Sequence, residues 1–112
     1  KKQTKILLRV PGWKYSRMKL FASTSYSPFG WKAHREADPF VVSITPEETK
    51  EIHFNSHPGH EFNYMIEGSM KIVVDGKEMI LEEGDSLYFD ATKQHGMQAL
   101  NNKPAKFLAI II

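Results

Sequence analysis

The stretch Phe62-Asn63-Tyr64-Met65-Ile66-Glu67-Gly68, with Met70-Lys71-Ile72-Val73-Val74-Asp75-Gly76 and Lys77-Glu78-Met79-Ile80-Leu81 behind it, decides the fold class. Three short apolar-rich runs are separated by Glu67-Gly68 and Asp75-Gly76. Asp-Gly between two such runs predicts a hairpin, because a two-residue turn needs positive φ at both central positions. The pattern extends in both directions. Downstream, Glu83-Gly84-Asp85 turns into Leu87-Tyr88-Phe89, and His95 to Leu100 and Lys106 to Ile112 flank the turn Asn101-Asn102-Lys103-Pro104. Upstream, Phe40 to Ile44 reads as a strand, Lys5 to Val10 and Tyr15 to Ala22 as two more, and Ser23 to Asp38 as a long loop.

Glycine and proline recur too often for a long helix to fit between them. The one helix-like signal is Thr45-Pro46-Glu47-Glu48, a capping box with proline at the first helical position. It leaves room for a single turn before the β-like run Glu51-Ile52-His53-Phe54. Consecutive antiparallel strands with apolar residues on both faces imply a closed barrel or jelly roll, since one flat sheet cannot cover both sides. The expected fold is therefore all-β and antiparallel.

The chain has 112 residues, enough for one domain with a single core. An apolar content of 41% excludes a disordered segment, and a net charge of +2 gives no ground for a nucleic-acid or anionic-membrane partner. There is no cysteine, which removes disulfides, thiolate chemistry and cysteine-ligated zinc, and fits a cytoplasmic location. The apolar run Phe107 to Ile112 is too short to span a bilayer, and no signal-peptide pattern opens the chain. Lys1, Lys2 and Lys5 read as a solvated arm. Opening on lysine, the sequence reads as a piece of a longer or trimmed protein.

Alternation sorts the chemistry-bearing side chains onto faces. Along Ile52 to His57, the residues His53, Asn55 and His57 share one face. After Pro58-Gly59, the residues Glu61, Asn63 and Met65 share a face opposite Phe62, Tyr64 and Ile66. His95, Met97 and Ala99 share another. A helical metal site through His57, His60 and Glu61 is excluded, because Pro58-Gly59 lies inside that segment. Any metal must be held between strands. His60, after a tight turn, reads as a surface residue, and His53 as a residue of the pocket mouth at most. Trp13 and Trp31 read as core or interface anchors, with Trp31 beside Gly30 a candidate lid.

Asn55 to Asn102 resembles the cupin superfamily. In its first motif two histidines stand one residue apart, followed by a glutamate and, seven residues later, a glycine. His57 stands where the second histidine belongs, Glu61 matches the glutamate, and Gly68 closes the motif. Gly84-Asp85 through His95 matches the second motif. The resemblance implies a cupin jelly-roll barrel, a double-stranded β-helix, with residues 38–112 as its core and residues 1–37 packing on it or swapping with a partner. It also implies His57, Glu61 and His95 as ligands of a divalent metal (Fe, Mn, Zn or Ni). Two departures stand out: Asn55 occupies the place of the first histidine, and Gln94 rather than proline approaches His95. Asn55 oxygen is then a weak fourth ligand. The alternative is a hydrogen-bonded polar pocket without an ion, since buried His and Glu can satisfy one another.

A finer resemblance is to the C-terminal sensor cupin of bacterial helix-turn-helix transcriptional regulators. It is carried by Asp38-Pro39-Phe40-Val41-Val42-Ser43, His57-Pro58-Gly59-His60-Glu61-Phe62-Asn63-Tyr64, Leu87-Tyr88-Phe89-Asp90 and His95-Gly96-Met97-Gln98-Ala99-Leu100. It implies a small-molecule-sensing and dimerising module. Its ligand pocket would be lined by Asn55, Asn63, Met65, Tyr88 and Met97, and the chain would form a homodimer without contacting nucleic acid or membrane itself. Two other readings are carried forward: a small metal-dependent enzyme of the isomerase or dioxygenase type, and an oligomerisation barrel filled by Met65, Met97 and Tyr88.

Overall fold

The structure, a computed structural model, describes residues 14–17 and 37–112. Among them are eight strands: β1 (Lys14–Arg17), β2 (Asp38–Ile44), β3 (His60–Glu67), β4 (Met70–Val74), β5 (Lys77–Leu81), β6 (Ser86–Asp90), β7 (His95–Ala99) and β8 (Ala105–Ile111). They form a five-stranded sheet in the order β1-β2-β8-β3-β6 and a three-stranded sheet in the order β5-β4-β7, with every pairing antiparallel. This is the expected all-β jelly roll. Lys5 to Val10, Trp13, Trp31 and most of Ser23 to Asp38 lie outside the described residues.

The runs read from the sequence become strands because they turn apolar side chains onto a shared core, with clear alternation on β2 and β8. On β2 the buried positions are Asp38, Phe40, Val42 and Ile44; on β8 they are Ala105, Phe107, Ala109 and Ile111. The β4–β5 hairpin turns at Asp75 and Gly76, both with positive φ (51° and 82°), as a two-residue turn of this hand demands. Thr45 closes its turn as expected: its hydroxyl donates to Glu48 Oε1 (2.8 Å) and accepts from Glu48 N (3.3 Å). The Thr49 hydroxyl donates to Thr45 O (2.7 Å) and accepts from Ala99 N (3.0 Å), which fixes this turn against β7.

One local expectation is corrected. Glu51 to Phe54 forms no strand; the segment packs on Gly96 of β7 and joins the sheet's hydrogen bonding through an Asn55–His95 bridge. His53 consequently stays exposed while His57 is buried, so the two do not share a lining face. Alternation places side chains only where a neighbouring strand holds the pleat, and residues 51–54 have no such ladder.

The interior is graded along the strands. On β3 the inward residues run Glu61, Asn63, Met65; on β7 they run His95, Met97, Ala99. Met65, Met70, Ile72, Met97 and Phe107 fill the apolar end, and the polar residues gather at the other. Met65 and Met97 thus belong to the packed core beneath the polar cluster.

Candidate metal centre

His57, Glu61 and His95 are brought together by three short pieces of backbone. Asn55 and His95 exchange N–H···O bonds of 2.9 Å each, and His57 N donates to Ala91 O (2.9 Å). Ala91 N returns a bond to Gly59 O (2.9 Å). The segment 55–59 therefore runs along 91–95 and carries His57 beside His95. Gly59, at φ +89°, then reverses the chain into β3; a Cβ there would collide with Ile112 O. The turn that presents His95 is shaped by Asp90, whose Oδ1 accepts from Thr92 N (3.0 Å) and Thr92 Oγ1 (2.7 Å). Those bonds hold the Asp90 carboxyl below the usual carboxylate range.

The three side chains are almost wholly buried, at 6% for His57, 3% for Glu61 and 4% for His95. One ligand atom from each lies within 4.8 Å of the others. Glu61 Oε1 is 3.0 Å from His57 Nε2 and 3.6 Å from His95 Nε2. The imidazole rings meet edge to face, centroids 5.2 Å apart, and Phe89 packs on His95 from a further side at 4.9 Å.

The hydrogen bonds at the far nitrogens decide what this cluster can do. His57 Nδ1 faces Pro58 O at 3.1 Å, and His95 Nδ1 faces Lys93 O at 2.8 Å. A carbonyl oxygen only accepts, so each Nδ1 carries the proton. In the neutral rings both Nε2 lone pairs then point at one carboxylate oxygen. Three acceptors converge with no donor between them, and only a proton or a cation relieves that. Without a cation, the proton goes to His57. Burial depresses its pKa, but the Glu61 hydrogen bond, the Pro58 carbonyl and the Glu61 charge outweigh burial and raise it. His95 moves the other way: burial lowers it, the Lys93 carbonyl and Glu61 oppose, and a charged His57 adds to the lowering.

The donor set fits a divalent ion. Two ligands each about 2.1 Å from one ion lie at most ~4.2 Å apart, and the two Nε2–Oε1 separations fall inside that reach. Backbone carbonyls on the non-ligating nitrogens are the usual means of fixing ring tautomer and direction in metal sites.

Asn63, fully buried, donates from Nδ2 to Glu61 Oε2 (2.9 Å) and so orients the carboxylate. Its Oδ1 has no hydrogen-bond partner. Asn55 sits next to the cluster through its backbone bridge, with its side-chain oxygen accepting from Ser56 N (3.0 Å), an engagement that competes with the expected role as fourth ligand. Tyr88, expected in the pocket, is not there. It is 57% exposed on the outer face of β6, and its hydroxyl lies 2.6 Å from His60 Nδ1. The inward residues of β6 are its neighbours Leu87 and Phe89, the latter paired in register with Glu61. His60 is exposed, as its place after the turn predicts. The Pro58 and Lys93 carbonyls and the packing of Phe89 were not anticipated. The carbonyls leave no trace in residue type, while Phe89 is signalled only by its register opposite Glu61.

Among the described residues no helix is long and apolar enough to cross a membrane. Residues 40–111 match the family model described as the Cupin domain. Tetracenomycin polyketide synthase protein TcmJ of Streptomyces glaucescens is 30% identical over 66 residues, which are 58% of this chain and 43% of that protein. The solved structure of hydroxypropylphosphonic acid epoxidase from S. wedmorenis superposes with a TM-score of 0.72 at 22% identity, over 91% of this chain and 51% of its own. That of FeII HppE gives a TM-score of 0.62 at 27% identity, over 68% of this chain and 42% of its own. The chain spans about half the length of these relatives. The expected likeness to a transcriptional regulator's sensor domain gains no support from these comparisons, which stop at the broader family. With a model match over most of its length and the fold to go with it, the chain belongs to the cupin domain family.

Proposed function

We propose that this cupin is a small metal-dependent enzyme, with His57, Glu61 and His95 holding one divalent ion. The observation that carries the reading is the convergence of His57 Nε2, His95 Nε2 and Glu61 Oε1, all buried, with both Nδ1 atoms turned to backbone carbonyls. Two histidines and one carboxylate with open coordination positions suit non-haem Fe(II) best, which favours a dioxygenase-type activity over an isomerase. A relative solved with FeII shares this fold. When bound, a divalent ion would supply a Lewis acid able to polarise a substrate oxygen. The protein's own residues do the rest: the Pro58 and Lys93 carbonyls aim the two rings, Asn63 holds the carboxylate, and Phe89 and the methionine layer keep bulk water from the inner side.

Purification without chelators followed by elemental analysis tests the reading. About one divalent ion per chain is expected, and its loss in His95→Ala. A protein that takes up no metal after anaerobic reconstitution with Fe(II), Mn(II) and Zn(II) would overturn it. Metal binding without turnover, accompanied by a metabolite-dependent rise in melting temperature, would favour the sensing module instead.

A further inference from the structure

Asn63 is the one residue of the site whose chemistry is half used. Its amide nitrogen is committed twice, to Glu61 Oε2 at 2.9 Å and to the Phe62 carbonyl at 3.3 Å. Those two acceptors fix which end of the amide is nitrogen, since a flipped amide would set oxygen against oxygen. The oxygen is therefore Oδ1, fully buried and without a partner; it is the sole unpaired buried side-chain polar atom among the described residues. It lies on the inner face of β3, one alternation beyond Glu61, and about 2.2 Å from the nitrogen that touches the carboxylate. A buried acceptor left unmatched is destabilising, so such a group in a native structure calls for an explanation, a functional role among them.

The charge of the site narrows the ligand. A divalent ion on one carboxylate and two neutral imidazoles leaves a net positive centre, which attracts an oxyanion. Beside it stands an acceptor requiring a donor. We propose that Asn63 is the ligand-recognition residue of this site, its Oδ1 accepting a hydrogen bond from the hydroxyl of a small hydroxy acid whose carboxylate is drawn to the metal. This rests on the metal-dependent reading above. The substrate class that follows is a short 2-hydroxy acid, and Asn63 has two duties: Nδ2 positions Glu61, and Oδ1 reads the substrate hydroxyl.

The probes are glycolate, acetate and methoxyacetate, titrated calorimetrically into the full chain loaded with Zn(II). Acetate lacks the hydroxyl; methoxyacetate keeps the oxygen and loses its proton. The expected result is glycolate binding about tenfold more tightly than either analogue, the worth of one good hydrogen bond. In Asn63→Leu and in Asn63→Ala the preference for glycolate over methoxyacetate collapses towards unity. Taking the ratio within each protein cancels any change in how Glu61 holds the ion. Equal affinities in the unmodified protein overturn the inference, and that measurement decides the matter even if neither variant folds. A ratio unchanged by both substitutions overturns it equally. Failure to bind Zn(II), Fe(II) or Mn(II) at all is a different result and removes the metal-dependent reading itself.

Discussion

His57 and His95 meet edge to face, ring centroids 5.2 Å apart, and both turn Nε2 toward the same Glu61 oxygen. Each ring is held from behind by a backbone carbonyl close to it in sequence, Pro58 O for the first and Lys93 O for the second. The two carbonyls fix both tautomers, and fixed tautomers make the centre a receptor for positive charge.

Metal should therefore stabilise the fold as well as the site. An ion bound only by the folded state, at a free concentration a hundredfold above its Kd, contributes about 2.7 kcal/mol. For a domain of this size that is on the order of 10 °C in melting temperature. Differential scanning with and without chelator measures it, and His95→Ala should abolish the difference between the two scans.

Glu61→Gln separates the charge of the site from its packing. The amide keeps the shape of the side chain and can donate to His57 Nε2, so the metal-free protein should melt within a few degrees of the unmodified one. The metal-induced rise should be lost, because the one anionic ligand has gone. A large drop in metal-free stability would show that the carboxylate's charge is needed for folding itself.

The two histidines should titrate on opposite sides of 6.5. His57 is raised above its ordinary value, so its contribution to metal-free stability is complete below about pH 6.5 and disappears as pH rises through its folded value. His95 is lowered, so its contribution is complete above 6.5 and disappears as pH falls through its folded value. Metal-free stability from this pair is thus greatest between the two folded values. Since metal must displace the His57 proton, apparent affinity should climb with pH until that value is passed. Ring-proton NMR of the chelated protein, with metal titrations at several pH values, checks both signs.

Gly59→Ala should be among the most damaging single changes. It places a Cβ against Ile112 O at a positive φ, with a cost of about 1–3 kcal/mol from the backbone alone and more from the collision. The same turn carries His57 to Glu61, so metal affinity should fall with stability. Chemical denaturation and metal titration of the variant measure the two losses together.

Tyr88→Phe should do little. The hydroxyl it removes is bonded to His60 on an exposed face, and the expected change in stability is within about 1 kcal/mol, with metal affinity unaltered. A tenfold change in metal affinity would mean that the tyrosine reaches the site after all.

Much of the architecture was legible because period-two patterning and turn chemistry are local. Met70 to Val74, Asp75-Gly76 and Lys77 to Leu81 became the expected hairpin, and Glu61, Asn63 and Met65 share the inner face of β3 as alternation requires. Alternation failed at Glu51 to Phe54, where no partner strand imposes the pleat. Tyr88, expected in the pocket from the finer resemblance, lies outside it, since a strand flanked by turns on both sides does not announce which of its faces is inward. Leu87 and Phe89 took the inner face, where the apolar surface of β3 and the core lay.

By itself the sequence determined the antiparallel strands, the turns between them and the residue types able to hold an ion, because those follow from local pattern and composition. The tertiary structure alone decided that His57 and His95 aim at one oxygen, that their tautomers are set by the Pro58 and Lys93 carbonyls, and that Asn63 keeps an unpaired oxygen. These depend on which strands become neighbours and in what register. A carbonyl is common to every residue, so no residue type reveals where it points.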